Sequence, residues 1–420
     1  TLSEILGPVT LDADRFARRA GIPYNARKHF SYLDHHTQEQ LQAYVAGINA
    51  FIESAWLYPL EFYVLGIRPS HWLPENCVGF GQVMSIGFSK SWKDDLRRYE
   101  MMKERDLSQS RVEQLSPAYG AFLPTILTNS NLNSTLSETN FVTTGNANGD
   151  DTESHTTTAT KATKKQEKKP EKKQEKKKLS GATSVMHALK TLNDLFPYFF
   201  GEVIGSNSWV VGGGKTKTGR PFVVNDPHLS FSSPMIWHFS HMRVKDGSDV
   251  DLVGAFFPGA PAVLVGHNSH GSWGITIGYA DLSDVFVIDA IDAKTYRYGD
   301  EILSYDERVE YIQVRGQPLP ERLMVRHSTA GPIISDSGFD STSQIGNDNS
   351  DTTDVLALAW TSTSIDTSLD AFHALSHAKN LSAFTTAVAK WTGPGVNLVY
   401  GNKDGDIAYY STGRLPLRAA

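Results

Sequence analysis

An α+β fold is predicted by three features of the 420-residue sequence. Apolar residues recur at helical spacing through the first 115 residues. From Ser206 onward the texture changes to short apolar or alternating runs punctuated by glycine, the pattern of strands. A single helical stretch over 367–391 then interrupts the strands before they return. Helices first, many strands after, then a helix and strands fit a layered α+β domain better than a βαβ repeat.

The helical region is read from its spacing. Thr37 and Gln40 have the spacing of a capping box, and Leu41, Tyr44, Val45, Ile48, Phe51 and Ile52 follow at helical intervals. Gly21 and Gly66 are placed to end helices. A less cleanly amphipathic helix is expected over 78–103. Residues 125–180 turn to Thr, Ser and Asn, then Lys and Glu, with almost no large apolar residue after Phe141. Such a composition does not repay the entropy of ordering, so a disordered insert is expected there. Asn133-Ser134-Thr135 within it is a glycosylation sequon, a triplet that also arises by chance. Helical spacing resumes over 183–203 with Val185, Leu189, Leu192, Leu195, Phe196 and Phe199.

Strands are expected at 208–211 and 221–225, joined by a glycine-rich turn, and at 235–244, where Met235, Trp237, Phe239 and His241 alternate. More follow at 250–257, 262–265, 274–278 and 285–289, with hairpins over 296–334. In the late helical stretch Leu369, Phe372, Leu375, Phe384 and Val388 supply the apolar face. Strands close the chain at 396–400 and 407–410. The organisation is therefore 1–124 mainly helical, 125–180 insert, 181–205 helical, and 206–420 mostly β.

Composition excludes several classes of function. Apolar residues are 40% and charged residues 20%, which is ordinary for a globular chain. No apolar run approaches the 18 or so residues that would span a membrane. The single cysteine, Cys77, excludes an internal disulfide framework and a cysteine-based zinc site. A net charge of −6 gives no general attraction to nucleic acid. The exception is local. Lys161 to Lys178 holds ten lysines against three glutamates, but without the interleaved aromatics of a nucleic-acid surface.

Several motifs fail on spacing. Gly214-Lys215-Thr216 lacks the earlier glycine of a phosphate loop, since Trp209 stands there, and reads as a turn between strands. His238 and His241 have odd spacing on a strand and point to opposite faces, which argues against a metal pair, and His267 with His270 fails likewise. No Gly-x-Ser-x-Gly elbow occurs.

What remains is a set of segments in a particular order. Gly205-Ser206-Asn207-Ser208-Trp209-Val210-Val211-Gly212 puts a serine at the opening of a strand. Asn225-Asp226-Pro227-His228-Leu229, Gly266-His267-Asn268, Trp273-Gly274 and Val396-Asn397-Leu398-Val399-Tyr400 follow. Singly, each is also an ordinary turn or strand. Together with Ala43-Tyr44-Val45-Ala46-Gly47-Ile48-Asn49-Ala50, Pro59-Leu60-Glu61-Phe62 and Leu65-Gly66, they resemble the penicillin acylase family of N-terminal-nucleophile hydrolases. The resemblance covers most of the chain and leaves out the lysine-rich insert.

The resemblance implies a four-layer αββα sandwich with an added helical α-chain region. It implies a precursor that cuts itself at Gly205–Ser206 into α and β chains that stay together as a heterodimer. Ser206 then matches the nucleophile, with its own freed amine as base, reached through a water. His228 matches the position that lies against nucleophile and amine. Asn397 matches the oxyanion-hole asparagine, with the backbone N–H of Ile277 as second donor, and Arg418 matches the arginine that supports Asn397. Asp281, Ser283 through its carbonyl, and Asp284, with Asp95 or Asp94, match the ligands of a structural calcium held by some members. No cofactor is implied for catalysis. The implied substrate is a small-molecule linear amide, and the implied compartment is periplasmic or extracellular. The resemblance also implies that the chain is part of a longer product, and that the insert is dispensable. A reading of a different class is an uncleaved, inactive relative that binds through its lysine-rich arm.

Overall fold

The computed structural model describes residues 1–103, 107–115, 181–200, 205–229, 231, 233, 235–245, 250–335 and 354–418. The insert, its sequon and the lysine block lie outside the described residues. The chain divides into two units. One comprises Thr1–Arg105 with Leu179–Ala420, and the other Asp106–Lys178, of which the described part is helix α8 (Gln109–Leu115).

The first unit begins with helices α1 (Leu2–Leu6), α2 (Leu11–Arg19), α3 (Ile22–Phe30), α4 (His35–Ser54), α5 (Leu60–Leu65), α6 (Pro74–Phe88) and α7 (Ser91–Lys103). Gly21, at φ 78°, and Gly66, at φ 64°, hold the left-handed turns beside α3 and α5, a conformation glycine adopts without steric cost. The capping box at Thr37 does not form. Helix α4 starts three residues earlier, after Asp34, and Thr37 is buried within its first turn. The cause is tertiary: Asp370 Oδ1 accepts from the Asp34 N–H at 3.1 Å and Lys390 holds its carboxylate at 2.8 Å. The helical stretch expected over 78–103 is two helices. Ser89 between them is extended, and its hydroxyl bonds that of Ser283 at 2.8 Å.

After α9 (Gly181–Leu195) and α10 (Pro197–Phe200) come the strands. β1 (Gly205–Val211) and β2 (Phe222–His228) form an antiparallel hairpin. β3 (His238–Arg243), β4 (Asp251–Phe256), β5 (Val265–His267), β6 (Gly271–Ile277), β14 (Val396–Asn402) and β15 (Ile407–Ser411) form a six-stranded antiparallel sheet in the order β15-β14-β6-β5-β4-β3. β7 (Ser283–Ala290), β8 (Thr295–Tyr298), β9 (Glu301–Ser304) and β13 (Val355–Trp360) form a second sheet, ordered β13-β7-β8-β9. β10 (Asp306–Ile312), β11 (Glu321–Ser328) and β12 (Gly331–Pro332) form a third. Helices α11 (Ser368–Ser376) and α12 (Leu381–Val388) fall between β13 and β14.

Several strands differ from expectation at their ends: β2 runs on to His228, β3 begins at His238 rather than at 235, and β6 begins at Gly271 rather than at 274. β1 starts three residues early, so Ser206 lies within the strand. Residues 262–264 are not strand: the indole of Trp273 donates to the Val263 carbonyl at 3.0 Å, and the strand begins at Val265.

The core joins both ends of the chain. Phe16 stacks on Trp92 with centroids 5.3 Å apart, and Phe384 of α12 stacks on Tyr400 of β14 at 4.2 Å. One continuous cluster holds Ile86, Trp92 and Leu189 together with Trp273, Leu358 and Leu398. The fold is thus mixed helix and sheet, with helix α12 covering one face of the six-stranded sheet and the β1–β2 hairpin set against the other.

Candidate active site

Alternation along the strands decides which side chains meet. On β6, a Cβ at Gly271 would strike the Tyr400 ring, whereas a Cβ at Gly274 would lie 2.8 Å from Asn225 Cβ and 3.0 Å from Ser208 Oγ. Odd positions of β6 therefore face α12, and Gly274 and Thr276 face the hairpin. On β14, a Cβ at Gly401 would lie 3.0 Å from Val223 and 3.4 Å from Val210, so Gly401, Val399 and Asn397 face the hairpin too. On β1, Val210 sits over Gly401 and Ser208 over Gly274. One step further along, Ser206 falls over the cross-strand pair Asn397 and Thr276. The register of three strands thus brings Ser206 and Asn397 to one end of the hairpin–sheet interface.

The hairpin is held there by a residue the sequence reading did not single out for a role. β5 pairs with β6 only at Ser272 and Trp273, which leaves the remaining edge of β6 without a strand. The Asn225 side chain takes that place. Its Nδ2 donates to the Ile275 carbonyl at 2.8 Å and its Oδ1 accepts the Ile275 N–H at 3.4 Å. The same Nδ2 lies 3.2 Å from the Asn207 carbonyl. Backbone N–H groups two residues apart on a strand point the same way. The Ile277 N–H therefore points to the edge on which Asn225 sits, one pleat beyond it.

Asn397 is fixed by three contacts. Its Nδ2 donates to Thr276 Oγ1 at 3.2 Å and approaches the Ile277 carbonyl at 3.5 Å, and its Oδ1 accepts from the Tyr409 hydroxyl at 2.7 Å. Partial burial pushes the Tyr409 phenol above its ordinary pKa, which keeps it a donor. Tyr409 was legible only as one apolar position of a strand. Arg418 does not fill the supporting role expected of it. Its Nε bonds Asp284 at 3.0 Å and its Nη2 bonds Asp281 at 3.0 Å.

Ser206 Oγ donates to the Gly205 carbonyl at 2.5 Å, across the bond that precedes it. Gly205 stands opposite His228, and Ser206 opposite Pro227. Pro227 shares the sheet-facing side with Ser206. His228, one residue on, is turned to the other side, half exposed, with Nε2 3.0 Å from Asp226 Oδ2. The expected placement of its ring against the serine hydroxyl is not observed in the intact chain, because the strand alternates.

The implied calcium ligands do not fit a metal ion as arranged. Asp281 and Asp284 are both bonded to Arg418, whose charge they raise in stability and whose pKa they hold up. Asp95 accepts the Val285 N–H at 3.0 Å and bonds Arg98. Arginines meet these carboxylates, so no step below runs through an ion.

A cavity opens at Ser206. It is partly open to solvent. Ser206, Pro227, Thr276 and Ile277 line one end. The walls are apolar: Met84 and Phe88 from α6, Phe257 after β4, Leu369 and Phe372 from α11, and Trp391. Polar exceptions are Asp366 and Ser368, whose carboxylate and hydroxyl bond each other at 2.6 Å. Such a cavity fits an apolar group attached to a bond at the serine.

The sequence is similar to known proteins along its whole length. The family model described as penicillin amidase matches residues 1–420. Penicillin acylase 2 proenzyme from Pseudomonas sp. (strain SE83) is 24% identical over 99% of this chain and 46% of its own length. Acyl-homoserine lactone acylase QuiP from Pseudomonas aeruginosa is 22% identical over 99% of the chain and 44% of its own. Penicillin G acylase from Escherichia coli is 25% identical over 100% of the chain and 48% of its own. The chain thus spans about half the length of the curated relatives it matches.

Proposed function

The chain belongs to the penicillin amidase family, and on that premise we propose that it is part of a self-processing amidohydrolase that cleaves a linear carboxamide bearing an apolar acyl group. The observation that carries the reading is that Ser206, Thr276 and Ile277 line an apolar cavity while strand register sets Asn397 opposite Thr276.

In the proposed sequence, Ser206 Oγ attacks the Gly205 carbonyl carbon and the C–N bond breaks. The resulting ester is hydrolysed by water, which leaves Gly205 as a carboxylate and Ser206 with a free α-amine. An α-amine has a pKa of about 8, so near neutral pH a useful fraction is unprotonated and can take the hydroxyl proton through a water. No histidine base is then needed. His228, cross-strand from Gly205, is adjacent to the new terminus and is assigned to orienting it. In the second phase Ser206 attacks the substrate amide, and the tetrahedral oxyanion accepts from Asn397 Nδ2 and the Ile277 N–H. The amine product leaves with a proton, and water releases the carboxylic acid from the acyl-enzyme. The β1–β2 hairpin and the six-stranded sheet would be inner layers of the four-layer αββα sandwich, and the chains on either side of Gly205 would remain a heterodimer. A relative whose name includes the word proenzyme supports the processing step.

The test is direct. The full-length protein is expected to yield a fragment whose N-terminal sequence is Ser-Asn-Ser-Trp-Val-Val. Ser206→Ala is expected to abolish both that cleavage and amide hydrolysis. Retained hydrolysis in the Ser206→Ala protein would refute the mechanism.

A further inference from the structure

A second cluster of chemistry-bearing side chains lies away from the cavity mouth, where α4 meets α11. His35, His36 and Glu39 occupy the first turns of α4, and the spacings i,i+3 and i,i+4 put both histidines beside the glutamate. Both Nδ1 atoms converge on the same atom, Glu39 Oε2, each at 3.4 Å. The three ligand atoms lie within 4.8 Å of one another, and this is the one such group among the described residues.

The distances discriminate between readings. A hydrogen bond from an imidazole N–H to a carboxylate closes to about 2.7–3.2 Å. Two separations of 3.4 Å are too long for that. Donor atoms bound at about 2.0–2.1 Å around a tetrahedral ion stand roughly 3.3 Å apart, which matches. A plain ion pair would instead require two charged imidazoles side by side, their centroids 6.1 Å apart, on one carboxylate.

A third imidazole comes from a segment more than 330 residues away in sequence. The ring of His373 on α11 stacks against His36 at 6.4 Å, nearly parallel. Its Nδ1 faces Gln40 Oε1 at 3.2 Å. With Gln40 Oε1 as acceptor, the tautomer this contact favours carries its proton on Nδ1 and leaves the lone pair on Nε2. Ligating histidines are ordinarily oriented in this way, with the second nitrogen donating to a carbonyl or carboxylate.

We propose that His35, His36 and Glu39 bind a divalent transition cation of the zinc class, and that His373, whose ring lies beside His36 but outside that close group, turns in across the α4–α11 seam to complete the set. Three imidazoles and one carboxylate suit zinc and disfavour calcium, which takes oxygen ligands. Bound there, the ion ties the N-terminal helical region to α11, which carries Leu369 and Phe372 of the cavity wall. This inference is independent of the nucleophile assigned above.

The test uses full-length protein with no polyhistidine tag, stripped with a chelator and titrated with zinc chloride against a chromophoric zinc indicator. Saturable uptake of one equivalent is expected. Its affinity is expected to fall at least about tenfold in Glu39→Gln, His36→Asn and His373→Asn, the loss typical when a group that binds or orients a metal is removed. Excess calcium is expected to leave it unchanged. Side-chain exposures of 57% for Glu39 and 81% for His36 mean that these variants keep the fold, which a thermal melt without zinc checks. Zinc is expected to raise the melting temperature of the unaltered protein and not of Glu39→Gln. The proposal is overturned by absence of saturable uptake, or by equal affinity in Glu39→Gln and His36→Asn. Equal affinity in His373→Asn overturns the cross-helix form of the site.

Discussion

Tyr409 carries a lesson about Asn397 that the motif alone could not. Asn397 is legible because its neighbours resemble a known segment, but the resemblance assigns its support to Arg418. In the structure the partner of Asn397 Oδ1 is the Tyr409 hydroxyl, while Arg418 is drawn to the nearer charges of Asp281 and Asp284. An amide whose oxygen is held presents its NH2 in a fixed direction. Removing the hydroxyl should therefore cost orientation without removing the donor. Asn397→Ala in the full-length protein is expected to lower kcat by about 10²–10³, the usual effect of losing one oxyanion donor. Tyr409→Phe is expected to lower kcat by a smaller factor, on the order of tenfold, with KM little changed, since the contact acts through another residue. Steady-state kinetics on any amide that the protein turns over checks both. An unchanged kcat in Tyr409→Phe would remove Tyr409 from the site. Residue types could be read from the sequence here, but partners could not, because a hydroxyl twelve residues away is brought near by strand pairing alone.

At the scale of elements, the hairpin β1–β2 is located by two small features of β6. Gly274 lets the hairpin approach, and the Asn225 amide then substitutes for the strand that β5 does not provide. Both should matter to processing, because they set where Ser206 lies along Asn397 and Ile277. Gly274→Ala puts a methyl 2.8 Å from Asn225 Cβ, and overpacking of that kind costs about 1–3 kcal/mol. Asn225→Ala leaves the Ile275 N–H and C=O without their side-chain partner, a loss of about 1–3 kcal/mol where water cannot replace it. Each variant is expected to slow appearance of the Ser206-terminated fragment by tenfold or more, measured by mass spectrometry over time. Cleavage at the normal rate in both would mean that the hairpin finds its register without them. Most strands were legible from alternation, and their ends less so. Thr37 and Gln40 have the spacing of a cap, yet α4 begins at His35 because Asp370 and Lys390, more than 330 residues away, hold Asp34. A local signal loses wherever a distant partner fixes the turn.

For the whole molecule, the decisive fact is that the core does not respect the Gly205–Ser206 boundary. Phe16, Ile86 and Trp92 share one apolar cluster with Trp273, Trp360 and Leu398. A cut at Ser206 would therefore leave two pieces that bury each other. Polar ties cross the same seam. One runs through Gln82 on α6, whose Nε2 donates to His29 Nδ1 on α3 at 2.9 Å and lies 3.1 Å from the Ser362 carbonyl across the seam. His29 is fully buried, and burial lowers its pKa below the ordinary 6.5, against the opposing pull of Asp366. As acceptor from Gln82, the ring is neutral at Nδ1. The sign follows from linkage. A histidine with a lowered folded pKa binds more protons when unfolded, so its contribution is intact above about pH 6.5 and is lost as pH falls from there toward the folded value. The joined pieces should accordingly loosen in mild acid. The melting temperature is expected to drop between pH 7.5 and pH 5.5, and by less in His29→Gln, which has no such proton to take up. That variant should be less stable at pH 7.5, where the native contact is intact, and the gap between the two proteins should narrow at pH 5.5. A gap that stays constant across this range would show that His29 does not titrate with unfolding, and the acid sensitivity would then belong to other groups.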